Sequence, residues 1–357
     1  MASIWNGACD RASRVGRAGL HSKAMTAAAD AFWHGRSVLV TGSSGFLGSW
    51  IVRELNHRGA TVIGLTRHRP PPAQPPRIPD GVPDRLAAAS LDDVDALSAI
   101  MRAEAVDTVF HLAAQAITDS AHADPGATLT TNVAGTWTVL DACRRAEKPV
   151  RIVVASSDRA YGSGARTPYS ESAPLGGADL YGVSKSCADL IAQSYHGAFR
   201  LPIGVIRASN VIGGGDLNFS RVVPGTIRAV LSGRRPIIRG DGAAVRDYVY
   251  AEDVARAYLS FAERLAEPAV RGQAINIGTG VPTSVLALTR RILAVAGRDD
   301  VEPEFQGQGA GARSVHYLDC AKAERLLGWR PAFDLDQALR PTLGWYRDYL
   351  AREDLSC

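Results

Sequence analysis

Short apolar runs alternate with longer amphipathic stretches from Ala31 onward, which predicts strands alternating with helices. The first run, SVLVTG (37–42), precedes GFLGSWIVRELNHRG (45–59), whose apolar residues recur at helical spacing before a terminal glycine. Because the runs are almost continuously apolar, they indicate a parallel sheet with helices on both faces, and therefore an α/β fold. The other strand-like runs are ATVIGLT (60–66), VDTVFHLAA (106–114), VRIVVASS (150–157) and IGVIRAS (203–209).

A glycine motif joins the first predicted strand to the first predicted helix. TGSSGFLG (41–48) places Gly42, Gly45 and Gly48 in this turn. Such glycines allow a tight turn and a close backbone approach, so that the helix N-terminus faces a pyrophosphate. We therefore predict a Rossmann-type doubly wound parallel sheet with a dinucleotide site. The alternative is a glycine-rich strand–helix turn without a ligand.

The chain divides into three predicted parts. Residues 1–30 are rich in Ala, Ser and Arg and lack the continuous apolar core of a secretory signal, which predicts a disordered tail. The alternatives are an upstream start codon, with Met25 as the true beginning, and an organelle-targeting peptide. The prolines of 67–83 predict an irregular loop. The predicted NAD(P)-binding Rossmann domain covers 31–208 plus about 246–280. A smaller, interleaved C-terminal domain, expected to bind the second substrate, covers about 209–245 plus 281–350.

The composition argues against several classes of protein. The net charge of +4 comes from 40 basic and 36 acidic residues spread along the chain, whereas nucleic-acid binding usually shows as a clustered basic face. No apolar run reaches the roughly 20 residues of a membrane-spanning helix. The five cysteines are odd in number and far apart, without a Cys-x-x-Cys pair, which predicts reduced thiols, a cytoplasmic location and no metal site.

The residues after the second strand bear on which dinucleotide binds. An NAD enzyme usually has an acid here that binds the ribose hydroxyls. GLTRHRP (64–70) has no acid, but it has Arg67 and Arg69. Either guanidinium could bind a 2′-phosphate, so the sequence slightly favours NADP and leaves NAD open.

A Tyr-x-x-x-Lys pair is the main candidate for catalysis. Tyr181 and Lys185 in YGVSK lie four residues apart, so they share one face of a helix. An ammonium beside the phenol, together with an oxidised nicotinamide, favours a tyrosinate, which can take a proton from a sugar hydroxyl as hydride leaves the same carbon. With the glycine motif and Ser157 at the end of the fourth strand, the pair predicts an active site. The alternative is a surface Tyr–Lys pair.

These motifs resemble the extended short-chain dehydrogenases/reductases of the nucleotide-sugar epimerase and dehydratase type, from about Phe32 to Leu350. Supporting motifs are TGSSGFLG, HLAAQ (111–115), TNVAGT (131–136), YGVSK, RDYVYAEDVARAY (246–258) and LGWRP (327–331). Within this group the chain is most similar to CDP-glucose 4,6-dehydratases, a likeness carried by FWHGRSVLVTG (32–42), GFLGSW (45–50), SSDRAYG (156–162), SNVIGGGD (209–216) and RVVPGTIRA (221–229).

The resemblance implies a dehydration without net oxidation. Tyr181 would remove the C4 hydroxyl proton while NAD(P)+ takes the C4 hydride, and Ser157 would hydrogen-bond to the C4 oxygen. The 4-ketone makes the C5 proton acidic, C6 loses water, and the reduced cofactor returns its hydride to C6. Asp158 would protonate the departing C6 hydroxyl; the alternative is an aspartate that caps a turn.

Asp158 and Arg159 separate the possible reactions. Simple 4-epimerases need no acid at the first position and often have Ser or Thr there, so Asp158 favours dehydration. Related dehydratases tend to have Glu or Lys at the position of Arg159, and that residue is implicated in handling the C5 proton. An arginine is a poor base. Arg159 bound to an anionic sugar would suit a 4-epimerase, including one that acts on uronate sugars. A non-catalytic NAD(P)-binding protein is the third possibility, but Ser157, Tyr181 and Lys185 are all present.

The resemblance also implies binding residues for both ligands. Ser90 and Leu91 replace an Asp-Ile or Asp-Leu pair that commonly contacts adenine. The predicted cofactor contacts are Arg67, Arg69, Tyr181 and Lys185 together with Gly42, Ser44, Gly45, Phe46, Leu47, Gly48, Ser90, Leu91, Leu112, Ala113, Ala114 and Asn132. The predicted contacts of the nucleotide-sugar substrate, where arginine suits phosphate because it can donate two hydrogen bonds at once, are Gln115, Arg159, Asn210, Arg221, Arg246 and Arg313. Related enzymes are commonly dimers, which predicts a homodimer through the helix at Tyr181–Ala192.

Overall fold

Seven parallel strands form the central sheet of the computed structural model, which describes residues 31–67, 77–163, 166–307 and 314–354. In chain order the strands are β1 (Ser37–Thr41), β2 (Thr61–Thr66), β3 (Arg85–Ala88), β4 (Thr108–His111), β5 (Arg151–Ser157), β6 (Ile203–Ala208), β7 (Asn210–Ile212), β8 (Ile237–Arg239), β9 (Val245–Arg246), β10 (Tyr248–Tyr250), β11 (Ala274–Ile277), β12 (Thr283–Ser284), β13 (Glu304–Gln306) and β14 (Val315–His316). The sheet order is β3-β2-β1-β4-β5-β6-β11, the doubly wound order with one strand added beside β6.

Helices cover both faces of this sheet. In chain order they are α1 (Phe46–His57), α2 (Val94–Ala103), α3 (Thr118–Ala123), α4 (Pro125–Leu129), α5 (Gly135–Arg144), α6 (Leu180–Phe199), α7 (Val222–Leu231), α8 (Ala251–Arg264), α9 (Val285–Val295), α10 (Ala321–Leu327) and α11 (Leu335–Asp354). A π-helical turn at Thr130–Ala134 continues into α5, and a 3-10 turn at Asp158–Tyr161 follows β5.

Alternate residues of each strand feed two separate cores. On β1, Val38 and Val40 join the core that contains α1 and α8, whereas Leu39 joins the core that contains α2 and α5. Because both faces of the strand are buried, it is apolar at nearly every position, as the sequence pattern indicates. The predicted α/β fold with a Rossmann-type parallel sheet is therefore confirmed.

Two strands of the sheet were not among the predicted runs. The β3 sequence, RLAA, is short and mostly exposed at the sheet edge, so it lacks the apolar run that marks the other strands. The β11 strand pairs in parallel with β6 and lies within 246–280, the segment predicted to return to the Rossmann domain. The predicted tail at residues 1–30 lies outside the described residues, and the domain boundaries stay predictions.

Within the described residues, three small sheets accompany the central sheet. β10 pairs with β7, β9 lies between β12 and β14, and β13 pairs with β8. The β7 pairing places Asn210 opposite Tyr248 next to the ends of β5 and β6. Within the described residues, none of the helices is both long and apolar enough to cross a membrane.

Candidate active site

A single cavity of about 1210 Å³ collects most of the predicted site residues at the carboxyl ends of the central strands. Ligands of doubly wound sheets bind in this position, because the strand order reverses there and leaves a crevice. The predicted cofactor residues that line it are Gly42, Ser44, Gly45, Phe46, Leu47, Gly48, Arg67, Ser90, Leu91, Leu112, Ala113, Ala114, Tyr181 and Lys185. The other predicted residues in its wall are Gln115, Ser157, Asp158, Arg159, Asn210 and Arg221.

The glycine motif has a shape that only glycine permits. Gly42 has a φ of +72°, and a Cβ there would lie 2.9 Å from the backbone nitrogen of Ala113. A Cβ on Gly48 would overlap the carbonyl oxygen of Gly42. Gly45 is the N-cap of α1 and has no side chain to occupy the free N–H groups of the first turn. These residues fit the pyrophosphate of a dinucleotide, which the N–H groups and the helix dipole would bind.

The other end of the cavity carries charges of both signs. Arg67 lies in its wall as predicted, whereas Arg69 lies outside the described residues. Asp92 also lines the cavity, next to Ser90 and Leu91, and sequence reasoning missed it. The sequence feature that could have indicated Asp92 is the acidic pair that follows the Ser-Leu dipeptide. Asp92 therefore supplies an acid at the end of the cavity where the residues directly after β2 include none.

The catalytic candidates come from β5 and α6. The Ser157 hydroxyl donates a hydrogen bond of 3.0 Å to the Asp158 carboxylate and accepts one of 3.2 Å from the backbone N–H of Arg159. The Nζ of Lys185 donates to the carbonyl oxygen of Ala155 at 2.8 Å, so α6 is tied to the end of β5. With Tyr181 in the same wall, a proton donor and a proton acceptor share the cavity.

The surroundings of Asp158 favour the protonated form of its carboxyl group more than is usual for an aspartate. Its side chain is only 3% exposed, and burial raises the pKa of Asp158 to about 6, although the Ser157 hydroxyl and Arg159 act to lower it. Its second carboxylate oxygen has no hydrogen-bond partner among the described residues. A carboxyl group with this pKa can donate a proton near neutral pH.

Burial also shifts the pKa values of the Tyr–Lys pair. It raises the pKa of Tyr181, while the positive charge of Arg221 and the Ser157 hydroxyl act to lower it. Burial lowers the pKa of Lys185 to about 8, against the effect of Asp189. The tyrosinate predicted for turnover is thus disfavoured in the protein alone, and it depends on positive charge that a bound oxidised cofactor would add.

Arg159 is held by an acid that also begins the catalytic helix. Its guanidinium forms an ion pair with Asp179, the N-cap residue of α6, which also accepts the backbone N–H of Gly182 at 2.7 Å. Although burial acts to raise the pKa of Asp179, the hydrogen bonds from Gly182 and Arg159 lower it. The ion pair with Asp179 therefore holds Arg159 at the cavity wall.

The remaining predicted substrate residues differ in position. Arg221 lines the cavity while it pairs with Asp216 at 3.0 Å and donates to the Ala116 carbonyl oxygen at 3.3 Å. Arg246 does not line it, because its guanidinium donates to the backbone of Val245 and to Ser314, which lies on the neighbouring chain segment. Arg313 lies outside the described residues.

Asn132 is buried behind the cavity wall. Its amide donates to the Gln115 carbonyl oxygen at 3.1 Å and to the Ser184 hydroxyl at 2.9 Å, and its oxygen accepts the Gln115 N–H at 2.7 Å. It therefore links the segment after β4 to α6 and does not itself line the cavity. Among the described residues, no group of three or more His, Cys, Asp or Glu side chains could hold a metal ion.

Residues 38–278 match the model of the NAD dependent epimerase/dehydratase family. The chain belongs to this family. The match includes the glycine motif and the Tyr–Lys pair. The sequence resemblance to nucleotide-sugar epimerases and dehydratases is thereby confirmed.

Individual relatives catalyse both candidate reactions. The chain is 30% identical to CDP-glucose 4,6-dehydratase of Salmonella typhimurium, over 91% of this chain and 94% of that protein. It is 32% identical to UDP-glucose 4-epimerase of Mycolicibacterium smegmatis, over 87% and 98%. A solved structure of dTDP-glucose 4,6-dehydratase from Streptomyces venezuelae with NAD bound superimposes with a TM-score of 0.76 at 29% identity, over 88% of this chain and 98% of that chain.

Proposed function

We propose that this protein is a nucleotide-sugar 4,6-dehydratase whose substrate is CDP-glucose or a close relative of it. The observation that carries this proposal is Asp158, a buried carboxyl with a pKa of about 6 that shares the cavity wall with Ser157 and Tyr181. Loss of a hydroxyl from C6 needs a proton donor, and epimerisation at C4 does not. The similarity to a CDP-glucose 4,6-dehydratase supports the choice of base.

The protein groups divide the proton transfers between them. A nicotinamide cofactor, when bound, accepts hydride from C4 and returns it to C6. Tyr181 takes the C4 hydroxyl proton, and the Ser157 hydroxyl binds the C4 oxygen. Lys185 is tied to β5 through Ala155 and adds positive charge near the phenol. Asp158 gives its proton to the C6 hydroxyl as water leaves. Its other carboxylate oxygen, which has no hydrogen-bond partner among the described residues, takes the C5 proton and returns it to C5 when C6 receives hydride.

A 4-epimerase is the second candidate because of Arg159. Its guanidinium pairs with Asp179 and stays protonated, so it does not act as a base toward the C5 proton. Epimerisation requires no such base, and a charged group at this wall suits an anionic sugar such as a uronate. The similarity to a UDP-glucose 4-epimerase supports this candidate.

For the cofactor we propose NAD, with NADP as the second candidate. Arg67 in the cavity wall would attract a 2′-phosphate, whereas the negative charge of Asp92 at the same end would repel it. The solved dTDP-glucose 4,6-dehydratase that this chain resembles contains NAD.

The proposed reaction predicts a specific mass change. Purified protein is incubated separately with CDP-glucose and with UDP, GDP and dTDP sugars, in each case with NAD+ or with NADP+. The products are analysed by mass spectrometry. We expect CDP-glucose with NAD+ to lose one water. An unchanged mass with a new C4 epimer on chromatography would establish the epimerase instead, and no change with any sugar would favour a non-catalytic binder.

We also propose that two copies of the chain pair through α5 and α6. Val183 and Leu190 lie seven residues apart on one face of α6 and are 42% and 55% exposed, and Trp137 on the adjacent α5 is 43% exposed. Water-exposed apolar groups on neighbouring helices mark an interaction surface.

The dimer predicts a mass of two chains in sedimentation equilibrium. Val183→Asp combined with Leu190→Asp should give a monomer, because two charges would be buried without partners. The matched control is Val281→Asp, which changes an exposed valine elsewhere and should leave the dimer intact. A wild-type monomer, or an unchanged mass of the double variant, would contradict this interface.

A further inference from the structure

Tyr258 reaches the candidate active site from the opposite side to Tyr181. It lies on α8, its side chain is fully buried, and it nevertheless forms part of the cavity wall. Its ring packs edge-on against Phe110 of β4, with 6.2 Å between ring centroids. The ring is therefore part of the core beneath the sheet edge, and the same residue forms part of the cavity wall.

The hydroxyl of Tyr258 has no hydrogen-bond partner among the described residues, although it is buried. An unpaired buried hydroxyl destabilises a fold, whereas phenylalanine would fill the same space without that cost. Because Tyr258 forms part of the cavity wall, a molecule inside the cavity is the partner that we consider for its hydroxyl.

Tyr258 lies at the end of the cavity that contains the catalytic residues. Ionisation of Tyr181 would raise the pKa of Tyr258 further, so the two phenols are electrostatic neighbours, and burial raises this pKa even more strongly. The end with Arg67, Ser90 and Asp92 belongs to strands β2 and β3, on the far side of β1 from β4 and β5. A protonated Tyr258 therefore presents a donor at the end with the catalytic residues.

We propose that the Tyr258 hydroxyl donates a hydrogen bond to the nicotinamide part of the bound dinucleotide and so positions it relative to Tyr181. Nicotinamide carries an amide oxygen, the type of acceptor that a neutral phenol can bind. This role rests on the proposed function, in which the cavity holds a nicotinamide dinucleotide. Tyr258 would be a positioning residue that takes no part in proton transfer.

The test compares two ligands that differ only by nicotinamide. The dissociation constants of NAD+ and of ADP-ribose, which lacks the nicotinamide ring, are measured by calorimetry for the wild-type protein and for Tyr258→Phe. We expect the variant to bind NAD+ about tenfold more weakly, as for the loss of one hydrogen bond. We expect its affinity for ADP-ribose to stay unchanged, and its melting temperature without ligand to be equal or higher.

The other possible results would contradict either this inference or the proposed function. Unchanged NAD+ affinity in the variant would overturn the inference and leave the hydroxyl to a water molecule. Equal weakening of both ligands would also overturn it, because a general change in the cavity would then be responsible. The matched control is Tyr250→Phe, which removes a hydroxyl from a tyrosine outside the cavity wall and should alter neither affinity. If the wild-type protein bound neither ligand, the proposed function itself would fail.

Discussion

Replacing Tyr181 with phenylalanine is expected to lower the turnover of the sugar nucleotide by about 10³-fold, within the usual contribution of a general base. The substitution removes only the phenolic oxygen from the cavity wall. In the proposed mechanism Asp158 holds the proton for the later loss of water, Lys185 is a donor to Ala155 and Arg159 is paired with Asp179, so Tyr181 is the group assigned to take the C4 hydroxyl proton.

The measurement should separate chemistry from binding. The first hydride transfer is followed in a single turnover as formation of the reduced cofactor, and the affinity for the dinucleotide is measured separately. We expect the rate to fall and the affinity to stay within about twofold, because the aromatic ring and its packing are retained. Turnover close to the wild-type rate would show that Tyr181 is not the base.

A matched control is available on the same helix. Tyr195 lies on α6 outside the cavity and packs edge-on against Phe199. Tyr195→Phe therefore removes a phenolic oxygen from α6 without touching the proposed chemistry, and it should leave turnover unchanged. A loss in both variants would indicate damage to the helix instead of loss of a base.

The parts of the site that the sequence predicts well are those encoded by local spacing. Gly48 is required by its contact with Gly42 within one turn, and Gly42 by its positive φ. Tyr181 and Lys185 share a helix face because they are four residues apart. The central strands are equally readable, since burial on both faces leaves an apolar run. The strand Arg85–Ala88 was missed because an exposed edge imposes no such pattern.

The parts that were harder to predict depend on which distant segments meet. Arg246 is turned toward Ser314, and this contact follows from the pairing of β9 with β14. Asn132 lies in a family motif, but its amide links Gln115 to Ser184 across the fold. Tyr258 also lies in a quoted motif, and only the packing of α8 under the sheet shows that this residue reaches the cavity wall.

Asp158→Asn is expected to stop dehydration while leaving the first hydride transfer intact. Asparagine keeps the shape of the side chain and can still accept a hydrogen bond from Ser157, but it has no proton to give to the C6 hydroxyl. We expect water loss to fall by about 10²- to 10³-fold. Reduced cofactor and a 4-keto sugar should then accumulate in a single turnover, which mass spectrometry and absorbance can detect together. Undiminished loss of water would contradict the role of Asp158 as the acid.

The same substitution is expected to stabilise the fold, with a definite dependence on pH. The pKa of Asp158 rises from 3.8 to about 6 on folding because the carboxyl is buried, so the folded state favours its protonated form. That contribution is fully present below the unfolded pKa and is lost as pH rises through about 6, which leaves a cost on the order of 3 kcal/mol at neutral pH. Asparagine does not ionise and avoids this cost.

Urea unfolding at several pH values checks this sign. The free energy of unfolding of Asp158→Asn minus that of the wild-type protein should be small near about pH 4 and should increase up to about pH 7. Asp119→Asn, which neutralises an exposed aspartate on α3, is the control and should show no comparable trend. A difference that is flat with pH would mean that burial does not hold the proton on Asp158. If this difference in the free energy of unfolding rises with pH and the variant no longer catalyses water loss, Asp158 lowers the stability of the fold but is needed for the reaction. This is expected for a residue retained for chemistry.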